Sequence, residues 1–358
     1  MPPSIASAIN QTRFPGWRVA RQQSGALEDC SLIIATYERP KQISQLLDRL
    51  LTLDDCPAEI LVVDGSRNRE SESALLSQIA SRQLRFDLIY VKSLAGLTRQ
   101  RNVGIDVSTR RYVYFLDDDC LPSHGYFSAI RSVFEYDEEG RIGAVCGLVV
   151  NEMHHPLTWR WRIRLALRLV PHGEPGSYFA SGTCNPRNPV EPFSGTKPVN
   201  NLHGCAMAFR RAVLDRHRFS EFFEGYSQGE DLEMSLRVGK QWQIVWCGAA
   251  RVGHYHAPNG RPTSFVKGKM EVRNRYFIWK RHSTNAALVD RVRFWLDAMF
   301  LTLMDLAWFA IHPTRVYVFA HAAGVFWGAL SCLFFPPHYE EPPARRRYAL
   351  YLTPSAIQ

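Results

Sequence analysis

Apolar and polar residues alternate in blocks along the first 120 residues, and these blocks predict strands separated by helices. Short apolar runs bounded by polar turns are typical of buried strands, and four occur, at residues 30–35, 59–63, 88–91 and 112–116. Between them, apolar residues recur at helical spacing after Pro40, and residues 70–82 and 97–107 are also predicted to be helical. This order predicts an α/β fold with a mainly parallel sheet flanked by helices on both faces.

Polar side chains follow three of these strands at the point where each strand ends. Thr36, Glu38 and Arg39 follow the first strand, Asp64 follows the second, and residues 117–119, all aspartate, follow the fourth. Ligands of parallel sheets bind outside the carboxyl ends of the strands. We therefore expect these side chains to share one crevice.

The aspartate run lies in FLDDDC at residues 115–120, and its spacing suits a metal ion. Carboxylates at i and i+2 after a buried strand can share one Mg²⁺ or Mn²⁺. The alternative is an acidic turn that caps the next helix, but three adjacent carboxylates repel one another without a cation. A neutral histidine of ARVGHYHAP, either His254 or His256, can complete such a site or be an ordinary packed residue.

Two further segments carry charged groups near predicted helix starts. In GLTRQRNVGI, residues 96–105, Arg101 lies where guanidinium and backbone N–H groups suit a diphosphate, although a solvated basic face is the alternative. In QGEDLEMSLR, residues 228–237, Glu230 and Asp231 follow a glycine. A carboxylate there can accept a proton from an attacking hydroxyl, or it can simply be favoured by the helix macrodipole.

Taken together, these segments resemble the inverting, family-2 type of GT-A-fold glycosyltransferase over about residues 28–260. The resemblance lies in the order and spacing of TYERP, VVDGS, GLTRQRNVG, FLDDD, GCAMAFRR at 204–211, and GEDLEMSLR. It implies a GT-A (Rossmann-like) sheet and transfer of a sugar from a nucleotide-diphosphate sugar to an acceptor hydroxyl. It also implies Mg²⁺ or Mn²⁺ as cofactor and inversion at the anomeric carbon in a single displacement.

The resemblance further implies a role for individual residues. Asp231 corresponds to the catalytic base, and Asp119, with Asp117 and His254, corresponds to the metal ligands, with His256 as the fallback. The residues that would contact the donor are Thr36, Glu38, Arg39, Asp64, Arg101, Asp117 and Asp118. Many relatives have two consecutive acids where this chain has Asp64 alone, so the base of the nucleotide is not predicted.

The amino-acid composition indicates which kind of partner the protein binds. The 43 Lys and Arg residues against 34 Asp and Glu give a formal charge of +9, which suits a sugar nucleotide or an anionic membrane face. No recognition motif supports nucleic-acid binding. The eight cysteines are scattered without zinc-like spacing, which indicates reduced thiols in a cytosolic protein. The N-terminal residues lack the apolar region of a signal peptide.

The membrane signals lie after about residue 150. Basic and aromatic residues are interleaved at 157–170 and 265–282, a composition that favours an anionic lipid surface. Apolar stretches at 294–311 and 316–335 predict a tight helical hairpin, which could span a bilayer, dip into one leaflet or pack as soluble helices. The arginines at 345–347 are expected to stay cytoplasmic, so we expect association with the cytoplasmic side of a membrane.

These features suggest an N-terminal extension at 1–27, a catalytic domain at 28–260 with an acceptor-side insertion at 151–200, and a membrane-associating appendage at 261–358. The leading hypothesis is a glycosyltransferase acting on a lipid-linked or cell-surface glycan precursor. A nucleotidyltransferase that activates a sugar phosphate would need a Gly-rich, Lys-containing loop after the first strand, where this chain has TYERP. A non-catalytic, membrane-bound scaffold with a degenerate fold would be expected to lack the carboxylates.

Overall fold

The computed structural model describes residues 9–11, 15–153, 155–187, 189–257 and 259–341. The strands are β1 (Ile9–Gln11), β2 (Gly16–Val19), β3 (Leu27–Thr36), β4 (Pro57–Asp64), β5 (Asp87–Lys92), β6 (Tyr112–Asp117), β7 (Cys120–Pro122), β8 (Ile142–Val149), β9 (Thr196–Pro198), β10 (Ala206–Arg210) and β11 (Gln243–His254). The α-helices are α1 (Pro40–Leu51), α2 (Glu70–Ile79), α3 (Leu97–Val107), α4 (Tyr126–Tyr136), α5 (Trp159–Ala166), α6 (Arg211–Arg216), α7 (Glu230–Val238), α8 (Ser264–His282), α9 (Leu288–Ile311) and α10 (Val316–Phe334). The predicted alternation of strands and helices up to β6 is confirmed.

The described strands form one mixed sheet in the order β1-β2-β5-β4-β3-β6-β10-β8-β11-β7, with β9 paired to β11. The four strands predicted from the apolar runs are the neighbours β5, β4, β3 and β6, and they are parallel. Beyond them, β10 runs antiparallel between β6 and β8. Ala35 of β3 is in register with Asp117 of β6, so the polar residues after these two strands meet at one edge.

Each face of the sheet is covered by its own hydrophobic core. Leu32 and Ile34 of β3 point into a core that also contains residues of α1, α2 and α4. Ile33, between them, points into the opposite core with residues of α3, α6 and α7. Gly104 lets α3 lie close to the sheet, because a Cβ there would be 2.4 Å from a methyl carbon of Ile33. Burial on both faces explains why these strands read as continuous apolar runs.

The segment before β3 takes part in the sheet through β1 and β2. Trp17 and Val19 of β2 are buried in the first core, and the Trp17 ring stacks on Tyr90 with centroids 5.4 Å apart. The described residues before 28 therefore continue the sheet at its edge. Most of the N-terminal stretch used for the signal-peptide prediction, residues 1–8 and 12–14, lies outside the described residues.

The C-terminal helices form the predicted hairpin. Helix α9 ends at Ile311, α10 begins at Val316, and both pack against each other and, through α10, on α8. Glycines allow α8 and α10 to touch backbone to backbone, since a Cβ on Gly324 would lie 2.1 Å from the Phe265 carbonyl oxygen. The same close approach occurs at Gly268, where a Cβ would lie 2.3 Å from the His321 carbonyl oxygen.

Two acidic residues inside apolar α9 are paired with basic residues of other helices. The Asp297 carboxylate, fully buried, accepts hydrogen bonds from Arg164 of α5 at 2.7 and 2.8 Å and from Arg275 of α8 at 2.6 Å. The buried Asp305 accepts one from Arg160 of α5 at 2.7 Å. These pairs attach α5 to the hairpin and keep the carboxylates away from its outer face.

The outer faces of α9 and α10 are apolar and largely uncovered. Both helices are long and apolar enough to cross a membrane, and only 28% and 33% of their most apolar windows are buried. Exposed apolar side chains include Leu288, Val292, Met299, Leu303, Ile311, Val316, Phe319, Phe326, Trp327 and Phe334. Such an extended apolar surface is unusual for a soluble monomer and is typical of a membrane or protein contact.

Candidate active site

The strand ends open into a cavity of about 760 Å³. Its walls include Thr36 at the end of β3, Asp117 at the end of β6 with Asp119 just after it, Asp231 at the start of α7, and His254 at the end of β11. Residues from four distant points in the chain therefore share one space.

Asp118 connects the ends of β3 and β6. Its carboxylate accepts hydrogen bonds of 2.8 Å from the Thr36 hydroxyl and of 2.8 Å from the Arg39 guanidinium. Arg39 also donates to the carbonyl of Asn259 at 2.7 Å. Burial raises the pKa of Asp118 to about 6, although the Arg39 charge opposes the rise. Asp118 and Arg39 together therefore link the loop after β3 to the loop after β11 at the cavity.

Asp119 and His254 face each other because β7 and β11 pair antiparallel with Cys120 opposite His254. His254 Nε2 lies 3.2 Å from Asp119 Oδ1, and the Ala257 N–H donates to Asp119 Oδ2 at 2.8 Å. Burial would raise the pKa of Asp119, but His254 and the Ala257 N–H outweigh it and lower this pKa to about 2. Burial would lower the pKa of His254, but Asp119, Cys205 and Glu152 raise it to about 12.

Asp117, Asp119 and His254 fit a divalent cation. Each of the three residues offers a donor atom within 4.8 Å of the others. Asp119 Oδ1 is buried and faces His254 Nε2 at 3.2 Å, so one cation could contact both atoms. Two carboxylates and an imidazole are ligands that Mn²⁺ and Mg²⁺ accept. His256, the fallback, is more exposed and lies 2.9 Å from Glu152 instead.

Arg101 is buried beneath the cavity and does not line it. Its guanidinium donates to Glu230 at 2.8 Å, to Asp117 at 3.0 Å and to the Gly204 carbonyl at 2.7 Å. Burial and the Asp231 charge raise the pKa of Glu230 to about 8, although Arg101 opposes the rise. The Arg101 side chain, which was predicted to lie near a diphosphate, therefore makes internal contacts instead. These contacts join β6 to the start of α7.

Asp231 is half-buried and faces the cavity from the first turn of α7. Gly229 precedes this helix with a φ of 93°, a left-handed conformation that favours glycine. The Gly204 N–H donates to Asp231 Oδ2 at 3.0 Å, and Arg187 lies 3.9 Å from the same oxygen. A Cβ on Gly204 would lie 3.1 Å from the Asp231 Cβ, so a larger residue would require a small shift here.

Asp64 and Glu38 are not brought into the cavity walls. The Asp64 carboxylate is fully buried and is hydrogen-bonded by the Ser66 N–H at 2.7 Å, the Tyr90 hydroxyl at 2.7 Å and Lys92 at 3.3 Å. With these donors engaged, Asp64 stabilises the turn after β4. The Glu38 side chain is exposed beside the cavity, and its backbone has a φ of 53°.

Several cavity residues escaped the sequence-based reasoning. Glu152 contacts His254 Nδ1 at 2.9 Å. Arg187, Asn201, His203 and Gln228 also contribute to the walls. Most of them lie in segments without helix or strand periodicity, so the sequence pattern gave no signal for their position.

Comparison with known proteins now adds the family. The family model described as Glycosyl transferase family 2 matches residues 31–218, more than half of the chain. The chain belongs to glycosyl transferase family 2. The matched region contains the β3 to β6 sheet, the aspartate run and β10, so the resemblance proposed from the sequence is confirmed. Membership favours the glycosyltransferase hypothesis over the nucleotidyltransferase. No curated protein sequence matches the chain.

The solved structures that are similar to this family member include the following three. The mannosyltransferase PcManGT from Pyrobaculum calidifontis, in complex with GDP-Man and Mn²⁺, has a TM-score of 0.51 and 13% identity, with 92% of each chain covered. GalNAc-T7 with UDP, GalNAc and Mn²⁺ has a TM-score of 0.49 and 16% identity, with 69% of this chain and 48% of that chain covered. TarS from S. aureus has a TM-score of 0.45 and 18% identity, with 77% and 43% covered.

The chain thus spans about half the length of GalNAc-T7 and of TarS, and nearly all of PcManGT. The likeness to PcManGT, together with the family match, confirms the predicted GT-A fold of a sheet flanked by helices. The C-terminal helices are consistent with the predicted membrane-associating appendage.

Proposed function

We propose that this protein is an inverting glycosyltransferase that uses Mg²⁺ or Mn²⁺. It would transfer a sugar from a nucleotide-diphosphate sugar to an acceptor hydroxyl on a lipid-linked or cell-surface glycan precursor. The catalytic machinery lies within residues 28–260, and residues 261–358 form the membrane-associating part. PcManGT, which has the same fold, was solved with GDP-Man and Mn²⁺.

The observation that carries the proposal is the link between the two acidic groups of the cavity. Arg101 donates to Asp117 at 3.0 Å and to Glu230 at 2.8 Å, so the proposed metal ligands and the Asp231 segment are held by one guanidinium. Both groups face the same cavity of about 760 Å³, a size that suits a substrate. Family membership supports the same reaction class.

The charge that develops on the diphosphate during the reaction suggests a role for the residues near the metal site. Cleavage of the bond between sugar and phosphate places negative charge on the diphosphate, which a cation bound by Asp117, Asp119 and His254 would stabilise as a Lewis acid. Arg39 keeps Asp118 and the loop at Asn259 in place, at 2.8 and 2.7 Å, so the cavity wall next to the metal ligands is fixed. Fixed charges of this kind need no reorganisation when the bond breaks.

Asp231 is the proposed general base. Its Oδ2 accepts the Gly204 N–H at 3.0 Å, which orients the carboxylate at the cavity wall. Deprotonation of the acceptor hydroxyl by Asp231 would allow direct attack on the anomeric carbon and inversion of its configuration, a logic shared with inverting glycoside hydrolysis. Loss of a general base typically lowers the rate by roughly 10²–10⁴-fold.

The acceptor class is supported by the hairpin. The exposed apolar faces of α9 and α10 fit a lipid surface, and the basic residues of α8 suit anionic headgroups. We propose a peripheral, monotopic or C-terminally anchored protein on the cytoplasmic side, with acceptors presented at the membrane. The arginines at 345–347, which also favour this side, lie outside the described residues.

The test is a panel of nucleotide sugars incubated with the full chain and Mn²⁺ or Mg²⁺. We expect one donor to be hydrolysed or transferred and the activity to disappear with a chelator. Asp231→Asn should lose turnover but keep metal-dependent nucleotide binding, whereas Asp119→Ala should lose both. NMR of the product then gives the anomeric configuration. Absence of binding and turnover across the panel would contradict the proposal, and retention of configuration would contradict inversion.

The membrane part has its own test. The full chain should float with liposomes containing anionic lipid and stay at the bottom of the gradient without liposomes. Replacing Phe326 and Trp327 by Asp, both at the exposed face of α10, should reduce flotation. Equal flotation of this variant and the wild type would argue against a lipid-facing hairpin.

A further inference from the structure

We propose that the floor of the cavity contains a second metal site, formed by Cys120, Cys205 and His254, that binds a thiophilic divalent cation such as Zn²⁺. This site shares His254 with the Asp117–Asp119 site described above. Binding of the thiophilic cation would therefore exclude the cation that the reaction uses.

The three donors are held together by the sheet. Cys120 of β7 is the direct partner of His254 in β11. Cys205 immediately precedes β10, and its carbonyl accepts the Asp117 N–H at 3.2 Å. Each residue offers a donor atom within 4.8 Å of the other two. Backbone pairing thus places two thiols and an imidazole in one cluster before any metal arrives.

The cluster is reachable from the cavity. Cys205 and His254 belong to the cavity wall, and Cys120 is fully buried behind them. A cation entering the cavity would meet His254 and Cys205 first and would then be enclosed by Cys120.

The fourth ligand can be an oxygen of cavity water or of Asp119, whose buried Oδ1 lies 3.2 Å from His254 Nε2. Two sulfurs, one nitrogen and one oxygen make a four-coordinate set, the number that Zn²⁺ prefers in proteins.

Ligand chemistry separates the two sites. Thiolates select Zn²⁺ and related cations, whereas carboxylates with water suit Mg²⁺ and Mn²⁺. At any site with nitrogen, oxygen and sulfur donors, Zn²⁺ binds more tightly than Mn²⁺. Each thiol must lose its proton to the solvent when the metal–sulfur bond forms, so binding weakens as the pH falls.

The functional consequence rests on the proposed function. Because His254 would serve both cations, Zn²⁺ should inhibit a Mn²⁺-dependent reaction by removing one of its ligands. The metal-binding part of the inference concerns the chain alone and can be tested without a substrate.

The direct experiment is X-ray absorption spectroscopy of the full chain loaded with one equivalent of Zn²⁺. We expect two sulfur neighbours at about 2.3 Å and nitrogen or oxygen neighbours at about 2.0–2.2 Å. A shell made only of nitrogen and oxygen would place Zn²⁺ on the carboxylates or on Glu152 and His256 and would overturn the proposal. This readout requires no mutant to fold.

Matched cysteine variants locate the sulfurs. Cys205→Ser and Cys120→Ala should each weaken Zn²⁺ binding by at least the roughly 10–100-fold that loss of an outer-shell partner costs. Cys184→Ser is the control, since Cys184 is more exposed than either but is not part of the cluster. Circular dichroism checks that each variant is folded. Unchanged binding in a folded Cys205→Ser, or an equal loss in Cys184→Ser, would overturn the assignment.

Inhibition is measured for each variant as the ratio of two transfer rates. Both rates are taken with Mn²⁺ present, one with Zn²⁺ added and one without. Wild type should be inhibited by stoichiometric Zn²⁺, and Cys205→Ser should need at least roughly 10-fold more. If no donor is turned over, the proposed function fails while the absorption spectrum still decides the metal site.

Discussion

Replacement of Arg101 by Met should lower the free energy of unfolding strongly, and any loss of nucleotide affinity should be smaller and act through the loosened Asp117. Arg101 as a whole residue is only 2% exposed, and its three hydrogen bonds go to Asp117, Glu230 and the Gly204 carbonyl. The resemblance to family-2 enzymes placed Arg101 near the diphosphate. The structure instead makes it an internal clamp, and the two roles predict opposite results.

The magnitude follows from burial. Removing one partner of a buried ion pair typically costs about 3–5 kcal/mol, because the remaining charge stays buried without compensation. Asp117 retains some solvent exposure, with 29% of its side chain accessible, so we expect a value near 3 kcal/mol. Adding Glu230→Gln should recover part of this loss, since contacting residues show coupling energies of about 0.5–3 kcal/mol.

The measurement is urea unfolding followed by circular dichroism, with all variants in the same detergent. Arg99→Met is the matched control, because Arg99 is in the same helix but 37% exposed and 3.5 Å from its partner Glu221. An exposed pair of this kind contributes about 0–1 kcal/mol. Binding of UDP and GDP with Mn²⁺ is measured by calorimetry on the same samples.

The reasoning is refuted if Arg101→Met unfolds at the wild-type urea concentration and loses nucleotide affinity. That result would mean that the guanidinium leaves its internal partners to meet the diphosphate.

Two further predictions concern the C-terminal helices. Asp297→Ala should leave Arg164 and Arg275 buried without their carboxylate and cost about 3–5 kcal/mol, seen as a lower midpoint in thermal unfolding; an unchanged midpoint would show that these charges are solvated. Gly324→Ala should cost about 1–3 kcal/mol, because its Cβ would lie 2.1 Å from the Phe265 carbonyl oxygen. Wild-type stability of this variant would mean that α8 and α10 separate easily.

Much of the fold could be predicted because the central strands are buried on both faces. Their apolar runs leave few alternatives, and Pro40 marks the start of α1 in sequence and structure alike. The antiparallel half of the sheet was harder, since β10 enters between β6 and β8 from a distant point in the chain. The pairing of β2 with β5 likewise depends on contacts that a local pattern does not contain.

The candidate site shows the same division between features that the local sequence predicts and features that depend on distant strands. Asp117, Asp119 and His254 lie at or near strand ends, and this position correctly predicted that they come together. Their roles are part of the proposed function. Asp64 was expected in the crevice, but its partners Tyr90 and Lys92 lie on the neighbouring strand, which only the strand order reveals. A sequence motif therefore locates an acidic residue at the end of a strand. Side chains on the neighbouring strand determine whether its carboxylate is free to bind a ligand in the cavity.

The pairing between α5 and α9 bears on how the enzyme can be shortened for expression. A fragment ending near residue 260 would leave Arg160 and Arg164 without their partners, the carboxylates of Asp305 and Asp297. It would also remove the Asn274 amide that donates to the Gln228 carbonyl at 2.8 Å, next to the segment carrying Asp231. The shortest autonomous enzyme should therefore include the hairpin, and solubility is better sought with amphiphiles than by truncation.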